Sequence, residues 1–90
     1  MSDEVKESLL EFPARFPIKI MGKNDADFRA AVLQIAEDLI PEADRMGVTE
    51  QLSKNQRYLS LTVTAMFYEK PAIDRVYQAL SKNPHVLMAL

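Results

Sequence analysis

An α+β sandwich, four antiparallel strands backed on one face by two helices, is the fold class this sequence predicts, and three observations predict it. Two segments alternate apolar and polar residues with a period of two: Phe16, Ile18 and Ile20 in one, Leu59, Leu61, Val63 and Ala65 in the other. Two more segments repeat apolar residues every three or four positions, from Phe28 and from Ile73. The first pattern marks a half-buried strand and the second one face of a helix. Their order along the chain is strand, helix, strand, strand, helix, strand. Two βαβ halves with right-handed crossovers then give the ferredoxin-like βαββαβ arrangement, with strands one and three central and strands two and four at the edges.

The elements follow in order. Residues 1–14 read as an N-terminal arm, and 15–90 as a single domain. Pro13 removes an amide donor and biases Phe12 away from helix, so the arm finishes extended. Leu9, Leu10 and Phe12 are too apolar for a free tail and are expected to pack back on the domain, over a sheet edge or a helix seam, with Phe16 entering the core. Strand one is expected over Arg15 to Gly22, with Pro17 at an unpaired position near its entrance. Helix one starts at an Asn24 or Asp25 cap and runs on the stripe Phe28, Ala31, Val32, Ile35, Ala36 and Leu39 until Pro41 stops it. A weaker strand, Val48 to Ser53, and the turn Lys54–Asn55–Gln56 lead into strand three, Arg57 to Met66, as an antiparallel hairpin. Helix two carries Pro71 in its first turn and buries Ile73, Val76, Tyr77 and Leu80. Pro84 separates it from a last strand, His85 to Leu90. That strand is nearly all apolar, which predicts a cover from the arm or from a second subunit, so that both a monomer and a homodimer are compatible with it.

Composition narrows the function. Ninety residues, 48% hydrophobic and 27% charged, suit one compact domain. Without cysteine there is neither a disulfide framework nor a thiolate metal site, and the acidic, polar start lacks the pattern of a signal segment. A soluble cytoplasmic protein is the expectation. A net charge of −2 offers no global attraction to nucleic acid or an acidic membrane, and neither is an expected partner.

The stretch "LLEFP", with Phe16, Lys19, Met21 and Gly22 close behind it, resembles the opening of the YbeD-like family of small bacterial proteins of unknown function. "SKNQRYLSLTVTA" and the closing "VLMAL" extend the resemblance over most of the chain. It implies the ferredoxin-like fold and a likeness to ACT-type regulatory domains that bind small ligands at dimer interfaces, and it offers no known catalytic residues to carry over. ACT-like sites usually carry a glycine-bearing loop after strand one, where "MGKNDADF" offers only Gly22.

The residues point away from an enzyme. His85 is the lone histidine and lacks partners for a zinc site. Glu37, Asp38, Glu42 and Asp44 read as a solvated acidic surface rather than an acid/base pair. No nucleophile elbow or P-loop is present, and no cofactor is expected. Lys23 and Gly22, at the start of helix one, form a weak candidate for an anion, with Asp25 and Asp27 beside them. The open sheet face is the better candidate. Lys19 on strand one and Tyr58, Ser60, Thr62 and Thr64 on strand three form a mixed polar surface suited to a small ligand or a protein partner, although an antiparallel sheet ordinarily keeps one solvated side. A non-enzymatic, ACT-like module for a small ligand is the leading expectation, and a protein-interaction adaptor the alternative.

Overall fold

A computed structural model describes residues 11–90. Its order is β1 (Ala14–Lys23), α1 (Ala26–Leu39), a 3-10 turn (Glu42–Asp44), β2 (Arg45–Leu52), β3 (Tyr58–Phe67), α2 (Lys70–Lys82) and β4 (Val86–Ala89). The strands form one antiparallel sheet in the order β2-β3-β1-β4, with the expected pair at the centre. Ile18 and Ile20 of β1 and Leu59, Leu61, Val63, Ala65 and Phe67 of β3 point at the helices and are buried. Phe28, Val32 and Ala36 of α1, with Ile73, Val76 and Leu80 of α2, close over them. Two faces thus differ by residue parity alone.

Local signals explain the helix ends. Asp25 caps α1 by accepting the Phe28 amide at 2.8 Å, and Asp27 sits in the positive first turn. At the other end Ile40, rather than Leu39, completes the buried stripe: its amide bonds the Ala36 carbonyl at 2.9 Å, while Leu39 turns outward. Pro71 opens α2 within its first two positions, where a missing amide costs nothing.

Several boundaries differ from the sequence expectation. The second strand begins at Arg45, three residues before Val48, and ends at Leu52. Gly47, which reads as punctuation, is instead the site of a register shift within β2, with a φ of 143° that favours glycine. The last strand is shorter than His85 to Leu90, although Leu90 still exchanges both backbone hydrogen bonds with Lys19, at 3.2 and 2.8 Å. That exchange also accounts for Pro17. Lys19 directs its amide at β4, so Pro17, two residues earlier, aims its nitrogen the same way, beyond the last β4 partner. It remains in register with Thr64 on the β3 side without costing a ladder bond.

Leu9 and Leu10 of the expected arm lie outside the described residues. Phe12 is half-buried against the core, and Phe16 sits at its margin in an edge-to-face contact with Phe67, ring centroids 6.3 Å apart. The expected cover over the last strand is not found among the described residues, where Leu87, Met88 and Leu90 are 60%, 50% and 61% exposed.

Candidate functional site

Register builds the open face row by row. On β1 the outward positions are Arg15, Pro17, Lys19, Met21 and Lys23; opposite them on β3 stand Met66, Thr64, Thr62, Ser60 and Tyr58. The flanking strands extend the rows. Thr49 of β2 lies opposite Thr62 and Gln51 opposite Ser60, while Met88 of β4 lies opposite Met21 and Leu90 bonds to Lys19. One row therefore reads Thr49, Thr62, Lys19, Leu90, and the next Gln51, Ser60, Met21, Met88. Directly opposed side chains in such rows are neighbours, with Cβ atoms about 4.5–5.5 Å apart.

The face has three zones. Three cations, Arg15, Lys19 and Lys23, run along β1 at four-residue intervals. Hydroxyls at Ser60, Thr62 and Thr64 line β3, and an apolar margin of Met21, Met88 and Leu90 lies toward β4. No outward position on the four strands carries a carboxylate. Glu50 illustrates the segregation: it lies opposite Leu61 on the helix side of β2, where it pairs with Arg29. Among the described residues, the side chains of Arg15, Lys19 and Lys23 make no ion pair or hydrogen bond. They present unneutralised positive charge on a protein whose formal charge is −2.

The five residues singled out from the sequence, Lys19, Tyr58, Ser60, Thr62 and Thr64, all lie on this face. Tyr58 stands at its end, opposite Lys23, beside a shallow recess shared with Asn24, Asp25 and Arg57. Gly22 belongs elsewhere. It points inward beneath α1, where an added Cβ would lie 2.3 Å from the Phe28 ring. The glycine thus permits close helix–strand packing, and the Phe28 amide of the first turn is already bound by Asp25. Lys23 and Gly22 consequently occupy opposite faces of β1. Arg15, Lys23, Thr49, Gln51, Met88 and Leu90 were not joined to the site by sequence reading; only the outward parity of β1, extended past Lys19, signalled the two cations.

Other groups are structurally plain. His85 is exposed, and its amide bonds the Asn83 side chain at 2.9 Å. Among the described residues no three His, Asp or Glu side chains gather to hold a metal, and no helix is long and apolar enough to cross a membrane.

Comparison with known proteins places this arrangement. Residues 7–90 match the model of a family described as a protein of unknown function, DUF493. A UPF0250 protein of Nitrosomonas europaea is 42% identical over 94% of this chain and 98% of its own length; one from Chromobacterium violaceum is 36% identical over the whole of both. The fold matches a solution structure of an H. pylori protein with a TM-score of 0.73 at 15% identity, covering 90% of this chain and 85% of that one. It also matches the C-terminal domain of the Mycobacterium tuberculosis MgtC protein with a TM-score of 0.61 at 14% identity, covering 90% and 88%. With nearly its full length matched, the chain belongs to the DUF493 or UPF0250 family of YbeD-like proteins, whose function is unknown.

Proposed function

We propose that this chain is a non-enzymatic interaction module of the cytoplasm whose open sheet face docks a partner protein through an acidic, partly apolar surface. The observation that carries the reading is the outward row Arg15, Lys19 and Lys23, unneutralised and free of carboxylates, beside the half-buried Met21 and the exposed Met88 and Leu90. Charge complementarity sets encounter rate and register, while the methionine and leucine margin supplies adaptable area to bury. An ACT-like role with a small ligand on this same face has less support, since its centre, Lys19, Ser60, Thr62 and Thr64, forms a broad surface, and only its ends reach a recess, Lys23 and Tyr58 at one and Met88 at another. Single-stranded nucleic acid fits less well again. The central outward positions hold Lys19, Met21, Ser60 and Thr62, without an aromatic ring for a base to stack on.

The test compares what immobilised wild-type protein and its Arg15→Glu/Lys19→Glu/Lys23→Glu variant retain from a bacterial lysate, followed by reconstitution of each difference from two purified components. The reading expects a protein held by the wild type, lost by the variant and weakened by salt, with binding reproduced in the pure pair. Identical retention by both proteins, or a difference confined to nucleic acid, would overturn it. A parallel thermal-shift screen with amino acids, nucleotides and simple anions addresses the small-ligand reading, because a ligand bound only to the native state raises the melting temperature.

A further inference from the structure

A cleft distinct from the open face lies where β3 ends and α2 begins. It measures about 310 Å³ and opens between the end of α1, the 3-10 turn and the first turns of α2. Leu39, Ile40, Pro41, Phe67 and Ala72 give it an apolar lining. One side is walled by Tyr68, 60% exposed, whose hydroxyl donates to the half-buried Asp44 at 3.0 Å. Asp44 has no cationic partner among the described residues, whereas Arg75 and Glu69 at the rim pair with each other at 3.6 Å. The cleft thus combines an apolar floor, an aromatic wall and one carboxylate without a countercharge.

We infer that this cleft binds a small primary ammonium compound with a short apolar body. The ammonium would sit between the Asp44 carboxylate and the face of the Tyr68 ring, where charge pairing and a cation–π contact act on the same group. The apolar body would displace water from Leu39, Pro41 and Ala72. At about 310 Å³ the space lies at the small end of the range for ligand pockets, matched to a molecule of roughly ten non-hydrogen atoms. This inference does not rest on the docking role of the open face: none of Arg15, Lys19 and Lys23 lines the cleft.

The experiment titrates 2-phenylethylammonium into isotopically labelled protein and follows the backbone amides by NMR. Saturable shifts are expected at Asp44, Tyr68, Glu69 and Ala72, with a Kd on the order of millimolar for so small a probe. Neutral 2-phenylethanol and anionic 3-phenylpropanoate should bind at least about tenfold more weakly. Asp44→Asn keeps an oxygen to accept the Tyr68 hydroxyl, so the fold is retained, and its unperturbed amide spectrum checks this. It should nonetheless lose about tenfold in affinity for the cation. Absence of saturable shifts in the cleft, equal binding of the three probes, or unchanged affinity in Asp44→Asn would each overturn the inference. Arg15→Glu/Lys19→Glu/Lys23→Glu should bind the probe as the wild type does, which separates this result from that of the docking test.

Discussion

The two faces of the β1–β3 pair are built from alternate residues of the same strands and solve opposite problems. Inward, Ile18, Ile20, Leu59, Leu61 and Val63 are at most 5% exposed and bury their side chains against two helices. Outward, Lys19, Ser60, Thr62 and Thr64 stay in contact with water, and the charged outward residues of the pair, Arg15, Lys19 and Lys23, are all cations. A stability requirement constrains the first set in size and shape. It leaves the second set almost free, so the absence of carboxylates from the outer positions is a feature the fold does not need and the proposed docking of an acidic partner would use.

Breaking the inner face should have the largest effect. Leu61→Ala leaves a cavity at a residue 1% exposed and should cost about 2–5 kcal/mol in urea unfolding, whereas its neighbour Thr62→Ala should stay within about 0.5 kcal/mol. Equal losses at the two positions would erase the contrast. Gly22→Ala tests the same contrast within β1. Its methyl group would enter the Phe28 ring, so a loss of about 1–3 kcal/mol is expected. Combination with Phe28→Leu should recover part of that loss, a non-additivity that a loop glycine would not produce.

Smaller effects belong to the surface. The Asp44 carboxylate holds the Tyr68 phenol above the ordinary tyrosine pKa, first by accepting its hydrogen bond and then by its negative charge. The folded state therefore holds that proton more tightly than the unfolded chain. The associated stability is complete below the ordinary value of about 10 and is lost as pH rises through the raised one. Phenolate absorbance should show Tyr68 ionising at lower pH in Asp44→Asn than in the wild type. The exposed Arg29–Glu50 pair should matter least, with Arg29→Ala costing no more than about 1 kcal/mol.

These contrasts also explain what could be read in advance. β1 and β3 were legible because central strands with one buried face must alternate, and that alternation carried Lys19, Ser60, Thr62 and Thr64 outward with it. β2 was not: all eight of its residues are exposed, so no burial period marks its start, and the bulge at Gly47 resembles a turn. Gly22, at the expected end of strand one, suggested part of an anion site because its actual role depends on Phe28, which only the folded packing brings above it. The apolar margin of Met88 and Leu90, and the meeting of Asp44 with Tyr68 across 24 residues, depend on register and tertiary contact that periodicity does not encode.

The most direct test of the account is the dissociation constant of the purified complex between this protein and the partner retained through its open face. It should be measured for the wild type, for Lys19→Glu and for Lys82→Glu, an equal charge reversal at the end of α2. The account predicts at least about tenfold weaker binding for Lys19→Glu, with a shallower salt dependence, and little change for Lys82→Glu. Equal weakening by the two reversals, or none by either, would contradict the claim that the open face is where this protein is recognised.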